Sequence, residues 1–125
     1  MTNAKVTVVI DNMVPTHAPK PFLGEHGLSM LLEIDGRRLL IDTGQTVAVA
    51  HNLGLLGFSP SSFDAIVLSH GHYDHAGGLP HVLERAGRRL PVFVHAEAFG
   101  EKYSVSRGER RFVGIPMRAE RLAGL

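Results

Sequence analysis

Phe63-Asp64-Ala65-Ile66-Val67-Leu68-Ser69 runs without a break into His70-Gly71-His72-Tyr73-Asp74-His75-Ala76-Gly77-Gly78. The first seven residues have the continuous apolar character of a central strand covered on both faces. His70 and His72 are two apart, so in an extended segment after that strand they project to the same side and can chelate one ion. Gly71 keeps the space between them open. Asp74 and His75 follow where the chain turns towards a helix, and a non-strand backbone can aim both at a second ion. Paired ions in such sites lie about 3.5–4 Å apart. Gly77-Gly78 lets the next helix start close to the strand ends, where ligands bind in α/β architectures. A lone histidine is read as a surface or satisfied core residue, and His17, His51 and His81 keep that reading. Four ligand-type residues in one short run at the end of a buried strand read as a metal site.

The 125-residue chain has no cysteine, so a disulfide framework is excluded and any metal is held by nitrogen and oxygen donors. Such donors suit zinc, iron or manganese, with zinc the first choice. The expected chemistry is ion-assisted attack by water, because a bound cation lowers the water pKa from about 15.7 to about 7 and polarises the electrophile. Asp74 is the candidate catalytic residue, binding the second ion and orienting the nucleophile.

Outward from this run, strands and helices alternate. Val6 to Ile10 is a β-branched run ended by Asp11-Asn12 and reads as a buried strand. Thr16 to Gly24, with Pro19 and Pro21, is a loop. Leu28 to Ile34 and Arg37 to Ile41 are strands joined by the two-residue turn Asp35-Gly36. After Asp42-Thr43-Gly44, Val47, Ala50 and Leu53 fall at helical spacing over Val47 to Leu56, with Gly57 as the stop. Ser59 to Ser62 is a loop. Leu79 to Ala86 is expected as a helix stopped by Gly87, Pro91 to Val94 as a buried strand, and Ala96 to Tyr103 as a short helix. Arg111 to Ile115 is a further expected strand, and Met117 to Leu122 a short helix with Gly124 just past it.

The residues are 44% hydrophobic and 20% charged, the balance of a folded globular chain, and its length sets one domain over residues 1–125. A net charge of +1, from 13 basic and 12 acidic residues, with no basic stripe beyond Arg107 to Arg111, argues against nucleic acid as the main partner. The start, Met1 to Lys5 followed by Val6 to Ile10, is too short an apolar run for a signal peptide. No stretch approaches the roughly 20 apolar residues of a membrane span. The expectation is a cytoplasmic protein acting on a small-molecule substrate.

The pattern His70-x-His72-x-Asp74-His75, with the apolar strand ending in Ser69 and with Asp42-Thr43-Gly44 upstream, closely resembles the metallo-β-lactamase superfamily. More narrowly, five segments look like the dihydropterin and ribofuranosylaminobenzene-phosphate synthase-like branch of the methanopterin pathway. They are Asp11-Asn12, Glu25-x-Gly27-Leu28-Ser29, Leu40 to Gly44, Leu68 to Leu79 and Val94 to Phe99. The likeness runs over nearly the whole chain. It implies an α/β (α+β) fold, the N-terminal half of an αββα sandwich, with a mixed sheet, flanking helices and the metal site at one edge. In the family pattern His70 and His72 bind the first of two divalent ions, and Asp74 and His75 the second. Asp42 supports the ligand loop and can also serve as a turn or capping aspartate. His95 follows a strand ending on the same side and is expected to line the substrate pocket. Asp11 and Asn12 either face that pocket or form a turn.

The resemblance also implies three ligands that are missing here. A complete family member adds a third histidine to the first metal, a bridging aspartate, and a further histidine to the second. This sequence has no histidine after His95 and no aspartate after Asp74. The expectation is therefore a truncated domain whose strands leave apolar faces to be covered. A complementing C-terminal half or a second copy in a homo-oligomer would cover them. The expected function is a metal-dependent hydrolase, metal-bound hydroxide attacking an ester, lactone, thioester or phosphoester-type bond, with a pterin-related synthase as the narrower reading. The alternative is a non-catalytic metal-binding half-domain. A di-iron redox role is set aside because it needs a partner flavin domain.

Overall fold

The computed structural model describes residues 3–125; Met1 and Thr2, read above with the N-terminal run, lie outside them. Strands β1 (Ala4–Ile10), β2 (Ser29–Ile34) and β3 (Arg37–Ile41) form an antiparallel meander, and β4 (Ala65–Val67) and β5 (Val92–Phe93) extend it in parallel. The strand order is β1-β2-β3-β4-β5. The turn between β2 and β3 forms as expected, with Asp35 and Gly36 at φ 50° and 75°. Two positive φ angles give the twist that a tight hairpin needs.

Helix α1 (Ala48–Leu56) makes the crossover from β3 to β4 and stops at Gly57, which takes φ 83°. Between β4 and β5 come α2 (Tyr73–Ala76) and α3 (Leu79–Ala86), the latter ended by Gly87 at φ 65°. The strand period of two decides what each face does. Leu31, Leu40 and Ile66 lie opposite one another across β2, β3 and β4 and are fully buried. They share one core with Val49 and Leu53 of α1 and Leu79 and Val82 of α3. The alternate residues form the row Val8, Met30, Ile41, Val67 and Phe93 across all five strands. That row is half-buried in the middle, while Val8 is 54% and Phe93 61% exposed at its ends. Strand β4 is thus central, but it is not covered equally on its two faces as its apolar run suggested.

Val6 to Ile10 and Pro91 to Val94, expected as buried strands, form the two edges of the sheet with Val6, Val8 and Phe93 exposed, and two further expected elements differ in kind. Ala96 to Tyr103 is not one helix: a 3-10 turn covers Ala96–Phe99, and Tyr103 opens β6 (Tyr103–Ser106). Arg111 to Ile115 is not a separate strand either. β7 (Glu109–Phe112) pairs antiparallel with β6 through the Arg107-Gly108 turn, with φ 52° and 78°. Tyr103 and Phe112 stack edge to face at 5.6 Å across this pair, and the Arg110 guanidinium lies 3.8 Å from the Tyr103 ring centroid. These cross-strand contacts favour a hairpin over the helix that Ala96 to Phe99 suggested. The last helix, α4, spans Ala119–Ala123. Among the described residues, no helix is long and apolar enough to cross a membrane.

Candidate metal centre

The centre lies at the carboxyl ends of β3 and β4. The Asp42 N–H donates to the Val67 carbonyl at 2.8 Å, continuing the parallel ladder one residue past β3, and Asp42 then takes φ 60°. A short polar side chain tolerates that left-handed conformation better than most. It leaves the Asp42 side chain 2% exposed under the start of the histidine run.

Three donors converge on this carboxylate. The Ser69 N–H donates to Oδ1 at 2.7 Å, while the Ser69 hydroxyl and His75 Nδ1 approach Oδ2 at 2.6 and 2.8 Å. Because the Ser69 hydroxyl gives its proton to Asp42, its oxygen is an acceptor for His70 Nδ1, 2.8 Å away. The network therefore assigns the Nδ1 proton on both His70 and His75, leaving each Nε2 lone pair free. This is how carboxylates commonly set the tautomer of metal-binding histidines. Asp42, His70 and His75 present ligand-type atoms that all lie within 4.8 Å of one another.

The backbone beneath is held just as closely. Thr43 donates to the His75 carbonyl from its N–H at 2.7 Å and from its hydroxyl at 3.0 Å. Gly78 is packed so tightly that a Cβ there would stand 2.1 Å from the Thr43 carbonyl oxygen. Gly77, where a Cβ would stand 2.2 Å from the Gln45 carbonyl oxygen, joins Gly78 in admitting the loop after β3, beyond merely freeing the start of α3.

Each residue singled out by sequence can now be placed. The His72 ring is exposed and lies edge-on to His70, with centroids 4.8 Å apart; the His70 and His75 rings are 4.2 Å apart. Asp74, in the first turn of α2, has Oδ2 3.7 Å from His75 Nε2. His72 and Asp74 adjoin the tight Asp42–His70–His75 group and are not part of it. His95 stands at the carboxyl end of β5, exposed, with Nδ1 accepting from the Glu97 N–H at 3.2 Å. Among the described residues no ring contact or hydrogen bond joins it to the histidine run.

Asp11 forms a turn, its Oδ1 accepting from Met13 N–H at 2.9 Å, whereas Asn12 Oδ1 accepts from Gly27 N–H at 3.0 Å and so ties the end of β1 to the loop before β2. His51 keeps its structural reading, with Nε2 2.9 Å from the Pro21 carbonyl. Partial desolvation of the largely exposed His70 ring, with His75 and His72 beside it, holds its pKa below the ordinary value, while Asp42 and Asp74 pull the other way.

Sequence reasoning passed over two residues here. The Ser69 hydroxyl was only the end of a strand, yet it links His70 to Asp42. His26 stood as the unspecified position in Glu25-x-Gly27, yet its Nε2 lies 3.2 Å from Asp74 Oδ2. Neither had a local signal, because both contacts join residues brought together by the fold.

Comparison with known proteins gives the family. An uncharacterized protein of Methanocaldococcus jannaschii is 40% identical over 111 residues, covering 88% of this chain and 40% of that one. The 7,8-dihydropterin-6-methyl-4-(beta-D-ribofuranosyl)-aminobenzene-5'-phosphate synthase of the same organism is 38% identical over 84 residues, covering 63% of this chain and 29% of its own. A solved metal-dependent hydrolase of the beta-lactamase superfamily superposes with a TM-score of 0.65 at 27% identity, over 90% of this chain and 37% of that one. The chain thus spans two fifths or less of the length of these relatives. The sequence profile of the metallo-beta-lactamase superfamily matches residues 23–123, and with the mixed sheet and its histidine-lined carboxyl end this places the chain in that superfamily.

Proposed function

We propose that this chain carries the front part of a two-metal hydrolase centre, with His70 and His72 holding one divalent ion and Asp74 and His75 the other. The observation that carries this reading is the Asp42–Ser69 network, which leaves the Nε2 atoms of His70 and His75 as free donors. The donor set is nitrogen and oxygen only, which suits zinc first and iron or manganese after it. Bound there, the ions would supply Lewis acidity and activate water. Asp42 fixes the tautomer and aim of His75 and, through Ser69, of His70. Asp74 would hold its ion and orient the nucleophile, and His95 lines the pocket for a small-molecule substrate.

The substrate bond is an ester, lactone, thioester or phosphoester. A pterin-related synthase is the narrower form of the reading, supported by the dihydropterin synthase relative. Metal analysis after dialysis, followed by hydrolysis assays on phenyl acetate and bis-p-nitrophenyl phosphate, tests the proposal. Two ions per site, with turnover lost in His70→Ala and His75→Ala, are expected. Metal binding without turnover of any such substrate, in the completed assembly as well as the single chain, would leave the alternative of a non-catalytic metal-binding half-domain. Recovery of the protein in a membrane or exported fraction would overturn the cytoplasmic placement we attach to this reading.

The apolar row from Val8 to Phe93 supports a second proposal: residues 1–125 are one part of a larger unit, truncated relative to its kin. A second sheet, from a complementing half or another copy, would cover the row and complete the ligands. Sedimentation of the chain alone tests self-association, and Phe93→Asp should shift any dimer to monomer.

A further inference from the structure

We infer that His26 supplies a nitrogen donor to the second metal position, beside Asp74 and His75; this rests on the two-ion reading above. Asp74 Oδ2 stands between two imidazole nitrogens, His26 Nε2 at 3.2 Å and His75 Nε2 at 3.7 Å. Two donors bound to one tetrahedral zinc at about 2.0–2.1 Å lie about 3.3–3.4 Å apart. Both separations are close to that spacing. The His26–Asp74 approach is that of an ordinary imidazole–carboxylate pair in the metal-free chain, and it also matches the spacing of neighbouring ligands of one ion.

The segment bearing His26 is fastened in place. The Glu25 carboxylate accepts from Gln45 N–H at 2.6 Å, from Thr46 N–H at 3.0 Å and from the Thr46 hydroxyl. Gly27 N–H donates to Asn12 Oδ1 at 3.0 Å, and Leu28 N–H reaches the Asp74 carbonyl at 3.4 Å. A Cβ on Gly27 would lie 2.3 Å from that same carbonyl oxygen, so the loop and the metal-binding run are in direct backbone contact. The backbone is pinned while the imidazole is free, with the His26 side chain 64% exposed and that of Asp74 only 14%. The ring can therefore rotate onto an ion without disturbing packing.

His26 meets Asp74 but does not join His75 in a group whose donor atoms all lie within 4.8 Å, so its exposed ring must swing towards His75 for the three to share an ion. Without it, this chain offers the second position only Asp74 and His75. With it this chain contributes three protein donors to that position.

The test is titration of the metal-free chain with zinc by calorimetry, and with cobalt(II) by visible absorption. Parent, His26→Ala, Asp74→Ala and His81→Ala proteins are compared. We expect His26→Ala to weaken the second ion at least tenfold and to alter its cobalt spectrum, with the first ion unchanged. His81→Ala should match the parent. Unchanged affinity and spectrum in His26→Ala, while Asp74→Ala loses the second ion, would overturn the role of His26 alone. A parent that takes up one ion or none, with Asp74→Ala identical to it, would overturn both this inference and the two-ion reading. Thermal melts of the metal-free variants separate donor loss from unfolding: a His26→Ala chain that melts like the parent yet loses the ion supports the donor role, and one whose ion loss only parallels a lower melt overturns it.

Discussion

Replacing Asp42 with Asn would keep the shape of the buried group and remove only its charge and one acceptor. In the parent, Oδ1 accepts from the Ser69 N–H, and Oδ2 accepts from the Ser69 hydroxyl and from His75 Nδ1. An Asn that keeps its oxygen on the Ser69 N–H turns its amide hydrogens towards two groups that are themselves donors. His75 can answer by accepting at Nδ1, which moves its proton to Nε2 and removes the lone pair a metal needs. Counting only the two hydrogen bonds at Oδ2, charge-assisted bonds worth about 1.5–3 kcal/mol each become neutral ones worth about 0.5–1.5 kcal/mol, a loss of about 2–3 kcal/mol. At about 3–5 °C per kcal/mol for a chain of this size, the metal-free melt should fall by about 6–15 °C. Metal affinity should fall about 10–100-fold as the histidines lose their orientation. Differential scanning calorimetry reads the first quantity and competitive zinc titration the second. An Asp42→Asn protein melting within about 2 °C of the parent and binding zinc equally well would refute the view that Asp42 sets the two imidazoles.

Further outcomes follow from the same geometry. The lowered pKa of His70 means that the unfolded chain takes up a proton more readily than the folded one below the ordinary value of about 6.5. The stability contribution is therefore present above that pH and is lost as pH falls through the folded pKa, so metal-free melts should decline on acidification and His70→Ala should flatten the decline. Zinc affinity should fall over the same range as protons compete for His70, and metal content unchanged well below pH 6.5 would count against its role as a ligand. Gly27→Ala places a Cβ 2.3 Å from the Asp74 carbonyl at a residue with φ 145°; strain and overpacking should cost about 2–5 kcal/mol in a denaturant melt. His72→Ala should reduce zinc occupancy, whereas His17→Ala, exposed on the loop before β2, should leave it unchanged by elemental analysis.

Much of the fold was legible because it depends on local chemistry. Asp35-Gly36 announced its hairpin, Gly57 and Gly87 ended their helices, and the apolar run before Ser69 became the strand that delivers the histidines. The Tyr103–Phe112 hairpin was missed because its turn, Arg107-Gly108, lacks the usual Asn or Asp. Its strands also alternate weakly, and the contacts that stabilise it are cross-strand stacks without a periodic trace.

By itself, the sequence determined which side chains are available for metal and that four of them leave one strand end together, since spacing along an extended chain fixes direction. Only the tertiary structure decided how they are held. Asp42, 27 residues before Ser69 and 33 before His75, orients two imidazoles, and His26 meets Asp74 from a loop before β2. Hydrogen bonds over such separations arise only once β3 and β4 lie side by side, and no local pattern encodes them.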